Sequence, residues 1–311
     1  MAVAVLLAAC GSATPQTAPT PKPLQAVTVA TPSKSLSQFP LYVALQKGFF
    51  KEQGLDVTLK EMAPPAQVAA VGAGEVDYTT AIGSSVQASA RGLPVKTVMV
   101  LADKPQHVLI AKQDITDVKQ LAGKTVGISA RGSTTERELQ VILEKNGLTE
   151  QSVQVLTVGD SMNTVAAMAA NRIVATVLPV PDNFMAEKEG GGHTLVNVAQ
   201  VMDAPLSGLS ASEKKLKDNP AQVVSMIKGA LKGTAYIKDN PDDAINLIAE
   251  FTNVDHQTAE QAYALVRDTW SDTGIVSDDA IRNVIVDPQA AAALDPGKAV
   301  DWSFAKQAAG K

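Results

Sequence analysis

The sequence predicts an α/β protein of two similar lobes, each a mostly parallel sheet flanked by helices. Three observations carry that expectation. The order strand, helix closed by Gly-Leu, strand, helix, strand runs twice along the chain. The stretch "VAAVGAGEVDYTTAIGSS" (68–85) aligns without gaps on "VAAMAANRIVATVLPVPD" (165–182), matching Val, Ala, Ala and a later Thr. Finally, 311 residues at 45% hydrophobic content can bury one large core or two smaller ones. Alanine-rich helices match by chance, so the repeated order of elements carries more weight than the identities.

The first repeat opens with "AVTVAT" (26–31), a β-branched run that reads as a strand. In "SLSQFPLYVALQKGFFKEQGL", Leu41, Ala44, Leu45 and Phe49 recur at helical spacing, and Gly54 stands at the C-terminal cap. "DVTLKEM" is the next strand, followed by a Pro-started helix, a glycine break, the strand "YTTAI" and a Ser-rich exit. The second repeat reads "KTVGISA", then the helix "STTERELQVILEKNGL", the strand "SVQVLTV", another helix and the strand "VATVLPV". Farther on, "DNP" at 218–220 and at 239–241 sets Asn before Pro, a cap followed by a first helical residue. Val223, Val224, Ile227, Leu231 and Ala235 form one apolar face there, and Ile245, Ile248 and Ala249 another; both are core stripes.

Composition removes several functions. A net charge of −5 and a pI near 5.3, with no dense Lys/Arg run, argue against a nucleic-acid partner. No apolar stretch approaches the roughly 18 residues of a membrane span. One cysteine excludes an internal disulfide and any CxxC site. His107, His193 and His256 lie far apart, without the spacing of a helical metal site, so neither metal nor cofactor is expected. "LAGKTVG" imitates the tail of a P-loop, but Val118 stands where the first glycine belongs, and "GISAR" lacks the second glycine of a nucleophile elbow. The pairs Asp242–Asp243 and Asp278–Asp279 open helices, where they complement the dipole. The chain is therefore expected not to be an enzyme.

The single cysteine has its own context. Residues 1–9 are short, apolar and small like a signal-peptide remnant, and Leu-Ala-Ala-Cys resembles the lipobox of bacterial lipoproteins. Residues 10–25, beginning "CGSATPQTAPTPKP", read as a semi-extended linker lipidated at Cys10. No Lys or Arg precedes the apolar run, which departs from the usual signal. The expected location is the periplasm or the outer face of the cell membrane, held there by lipid.

In parallel sheets ligands bind beyond the carboxyl ends of strands, at helix starts. Four such exits share a short, polar, glycine-assisted makeup: Ser35 to Pro40, Gly83 to Ser85, Arg131 to Thr135, and Pro181 to Asn183. Each residue taken singly also reads as a plain helix cap. Four together point to one shared cleft whose free N–H groups suit an anion or polar acceptor.

The patches "FPLYVALQKGFFKEQGLDVTL", "VGAGEVDYTTAIGSS", "LAGKTVGISARGSTTERELQVILEKNGL" and "NPAQVVSMIKGALKGTAYIKDNPDDAINLIAE" resemble the periplasmic solute-binding proteins of ABC importers, of the nitrate, taurine, sulfonate and thiamine-pyrimidine type. The resemblance implies a two-lobed type II periplasmic-binding-protein fold. Lobe 1 would comprise 26–104 plus 206–311, and lobe 2 would comprise 112–200. Hinge crossovers would fall at 105–111 and 201–205, with the C-terminal helices returning to lobe 1. The ligand set implied is Ser37, Gln38, Phe39, Gly83, Ser84, Ser85, Arg131, Gly132, Ser133, Thr134, Pro181 and Asp182, with Arg131 neutralising an anion. Where sulfonate binders show an aromatic and Asp-Pro, this chain has Pro179, Pro181 and Asp182. The implied role is a monomeric substrate-binding component that hands a sulfonate-, taurine- or nitrate-like nutrient to the permease's transmembrane subunits. The alternatives are a thiamine-precursor pyrimidine or other heterocycle as ligand, or a non-transport scaffold lipoprotein. A relative of this fold that makes the thiamine pyrimidine needs a cysteine-rich iron site, which a chain with Cys10 alone does not contain.

Overall fold

The computed structural model describes residues 23–32 and 34–310. Cys10, the expected signal remnant and most of the linker lie outside the described residues. Along the chain the strands are β1 (Gln25–Thr31), β2 (Leu55–Glu61), β3 (Tyr78–Thr79), β4 (Val95–Ala102), β5 (His107–Lys112), β6 (Thr125–Ile128), β7 (Gln154–Thr157), β8 (Ala175–Pro179), β9 (Gly192–Asn197) and β10 (Ser207–Ser212). They build two five-stranded sheets, ordered β2-β1-β3-β10-β4 and β7-β6-β8-β5-β9.

The two sheets follow one plan. In the first, β1 is parallel to β2 and β3, and β10 is antiparallel to β3 and β4. In the second, β6 is parallel to β7 and β8, and β5 is antiparallel to β8 and β9. Each sheet thus runs four strands one way and reverses only the strand that arrives from the other sheet. The register repeats as well. Val29 pairs with Tyr78 and Ala30 with Thr79; Val126 pairs with Ala175 and Gly127 with Thr176. The ungapped match of 68–85 on 165–182 carries Tyr78 to Ala175 and Thr79 to Thr176, so sequence repeat and sheet register are one correspondence. The fold is α/β with two lobes.

The chain passes between sheets at 103–106 and again at 198–206. Residues 107–111, expected in the first crossover, instead belong to β5. The cause is burial: Val108, Leu109, Ile110 and Ala111 form an apolar run covered on both faces, which only an internal strand accommodates.

Helix Pro220–Asp239 returns across the first sheet and packs on helix Phe39–Gln46. Gly233 permits that approach, since a Cβ there would run into the carbonyl of Pro40, and Gly229 permits the approach of the next short helix, Phe49–Glu52, since a Cβ there would run into the Phe50 ring. Asn219 and Asn240 occupy the cap positions as the "DNP" pattern requires, but neither side chain makes a capping hydrogen bond. The proline at the first helical position, with its fixed φ, sets these starts. Beyond these helices the C-terminal region returns to the first crossover. There Asp103 N donates to Thr269 O at 2.8 Å, and Trp270 Nε1 donates to Leu36 O at 2.8 Å.

Candidate functional site

Loops from both lobes meet around a cavity of about 470 Å³. One wall is Gly83, Ser84 and Gln87 of helix Ile82–Ala90; the other is the 130–134 loop with Arg137 and Glu138 of helix Thr134–Lys145. Pro105 of the first crossover and Met202, Ala204, Pro205 and Leu206 of the second complete it, with Asn283, Val284 and Val286 from the C-terminal region.

The structure therefore brings Gly83, Ser84, Arg131, Gly132, Ser133 and Thr134 to one cavity, and leaves the other expected residues away from its lining. Ser37 is buried, and its carbonyl accepts from Ser207 Oγ at 2.6 Å; Gln38 is buried beside it. Phe39 presents no ring to the cavity. It is fully buried among Tyr42, Phe251 and Trp270, with ring centroids 6.0, 5.7 and 5.8 Å away, because an aromatic ring gains more from a dry cluster than from a loop surface. Ser85 is buried, its Oγ without a partner. Pro181 and Asp182 are half-buried at the start of helix Asp182–Lys188.

The Gly-Ser helix start satisfies part of itself. Ser133 is the cap of helix Thr134–Lys145, its Oγ accepting from Glu136 N at 3.3 Å. Gly132, at φ +74, donates its N–H to Glu136 Oε2 at 2.5 Å. Arg131 Nη1 donates to Glu136 Oε1 at 2.6 Å and also to Glu150 Oε1. Those two hydrogen bonds, Glu136 first, hold the Arg131 guanidinium above its ordinary pKa. Glu150, whose other oxygen accepts from Gln140 Nε2, is lowered. The Arg131 charge, read from the sequence as a counter-ion for an anionic ligand, is engaged by the protein's own Glu136 and Glu150.

Composition and strand exits gave no reason to single out Arg137, Glu138 or His107. Arg137 and Glu138 lie three and four positions after Thr134, on its face of the helix, and that spacing is the signal that finds them. Glu138 is fully buried, and its Oε1 lies 2.8 Å from His107 Nδ1. Burial alone would depress the His107 pKa. The Glu138 charge and hydrogen bond, with the field of Asp182, outweigh burial and raise it above the usual histidine value. Glu138 Oε2 and Arg137 Nε are buried without partners, as are Gln106 Oε1 and both amide atoms of Asn183. Such orphaned atoms are costly unless a ligand or water completes them.

Among the described residues no three His, Cys, Asp or Glu side chains converge as a metal site, and no helix is long and apolar enough to cross a membrane.

The chain is 30% identical over 266 residues to the riboflavin-binding protein RibY of Chloroflexus aurantiacus, covering 80% of this chain and 76% of that protein. It is 27% identical over 220 residues to the 4-amino-5-hydroxymethyl-2-methylpyrimidine phosphate synthase THI11 of Saccharomyces cerevisiae, covering 65% and 64%. The crystal structure of a putative sulfonate ABC transporter's periplasmic sulfonate-binding protein, SsuA from Methylobacillus flagellatus, superposes with a TM-score of 0.74 at 17% identity. That alignment covers 92% of this chain and 94% of SsuA, a likeness of fold. Relatives thus include both binding proteins and a named synthase. Residues 36–244 match the family described as NMT1/THI5 like, and with the repeated sheets and the shared cavity this places the chain in that family.

Proposed function

We propose that this chain is the extracytoplasmic solute-binding component of an ABC importer, capturing a small polar or anionic organic nutrient between its lobes and passing it to membrane permease subunits. The observation that carries this reading is a single cavity bounded by both lobes and both crossovers. A solute there meets part of its hydrogen-bonding partners on each side, so closure completes a site that neither lobe offers alone. Hydrogen bonds to charged groups contribute about 1.5–3 kcal/mol each, enough for a few of them to favour the closed form. A volume of about 470 Å³ suits a molecule of metabolite size. The names of the relatives frame the candidate solutes as sulfonates, pyrimidines and flavin-like heterocycles.

In this reading the protein works as a monomer at the outer face of the membrane, tethered by lipid on Cys10, and releases its solute unchanged. A synthase role has the yeast relative in its favour, yet a single cysteine cannot furnish a cysteine-rich iron site. The test is a thermal-shift panel of sulfonates, nitrate, taurine, pyrimidines and riboflavin, followed by small-angle scattering and mass spectrometry of the recovered solute. A binder melts higher with its solute, becomes more compact and returns the solute intact. A chain that no solute stabilises is a scaffold; a chemically altered solute indicates an enzyme.

A further inference from the structure

The cavity wall contains two buried polar atoms that the protein does not use. Glu138 has no exposed side-chain surface, and with Oε1 on His107 its Oε2 is left without a donor. Arg137, the next residue on the same wall, has a buried Nε–H without an acceptor. The third charged side chain of the lining, Arg131, is already engaged by Glu136 and Glu150. What remains is an acceptor and a donor on successive residues of the cavity wall, on a helix turn capped by Ser133 and braced by the His107 contact.

Resting on the solute-binding reading above, we infer that this pocket selects a neutral or cationic solute presenting an N–H or O–H donor to Glu138 Oε2 next to an acceptor for Arg137 Nε, and rejects anions that carry no donor. A carboxylate oxygen is only an acceptor, so it needs a donor opposite. A sulfonate or nitrate oxygen placed there leaves Oε2 unpaired and sets two negative oxygens against each other, even where the Arg137 guanidinium attracts it. An amide, amidine or imide group carries both a donor for Oε2 and an acceptor for the Arg137 N–H.

Isothermal titration of the full chain with riboflavin, cytosine, ethanesulfonate and nitrate tests this. Riboflavin or cytosine is expected to bind. Glu138→Gln and Arg137→Met are each expected to weaken that binding tenfold or more, and the two anions to give no binding heat. If Glu138→Gln does not fold, as judged by circular dichroism, Arg137→Met carries the test, since its side chain is only partly buried. Anion binding that Glu138→Gln leaves within threefold overturns the inference while the solute-binding reading stands. Binding of riboflavin or cytosine that neither substitution weakens also overturns it. Silence from all four overturns it too, and the solute-binding reading falls with it only if the wider thermal-shift panel is also silent.

Discussion

Glu136 braces the loop ahead of its own helix: its Oε1 accepts from Arg131 Nη1 at 2.6 Å, while its Oε2 takes the Gly132 N–H at 2.5 Å. The arginine that the sequence offers as a counter-ion for the ligand is thus a counter-ion for the protein. Its side chain is 57% exposed, and exposed ion pairs contribute about 0–1 kcal/mol. Arg131→Ala is expected to change unfolding free energy by less than about 1 kcal/mol and solute affinity by less than about threefold. Chemical denaturation and titration of the same variant check both numbers.

Ser133 has a structural task to lose. Its Oγ accepts from Glu136 N and meets Thr135 Oγ1 at 3.0 Å. Ser133→Ala should destabilise the fold by about 1 kcal/mol, the usual cost of deleting a helix cap, with the loss measured as a shift in denaturation midpoint. Ser133→Asp, which keeps a capping oxygen, should recover most of it.

The His107–Glu138 pair gives stability a pH dependence of definite sign. The folded-state pKa of His107 is raised above 6.5, so folding favours the imidazolium. That contribution is complete below about pH 6.5 and is lost as pH rises through the higher folded-state value. Melting temperature should therefore fall over that window, and His107→Gln should flatten the fall. A wild-type curve that rises across the same window would contradict the pairing.

The returning helix depends on two small residues. Gly233 faces backbone, the Pro40 carbonyl, whereas Gly229 faces the Phe50 ring. Backbone yields less than a side chain, so Gly233→Ala should cost more than Gly229→Ala, with overpacking on the order of 1–3 kcal/mol. Equal and negligible losses would mean that the returning helix is not in close contact with Pro40 or Phe50.

Much of the architecture was legible because periodicity and burial speak locally. The runs at 26–31 and 125–128, the glycine stops at Gly54 and Gly147, and the match of 68–85 on 165–182 all survive as strands, positive-φ turns and register. The fate of 107–111 was not legible, because a short apolar run reads alike as a buried crossover or a central strand. Phe39 carries no local mark telling a stacking platform from a core ring; Phe251 and Trp270, far along the chain, decide it. Arg131 reads as free until Glu150 is folded beside it. Glu138 reads as a solvated helix charge until β5 brings His107 to it.

The anchor is tested by fractionation. Cys10→Ala should move the protein from the membrane pellet to the soluble fraction without altering its melting temperature. Retention in the pellet would contradict lipid attachment.

Solute binding between the lobes is tested by a crystal structure of the chain grown with the solute that most raises its melting temperature. The account predicts difference density in the cavity between Ser84 and Glu138, touching both walls. Density confined to the surface of one lobe would contradict it.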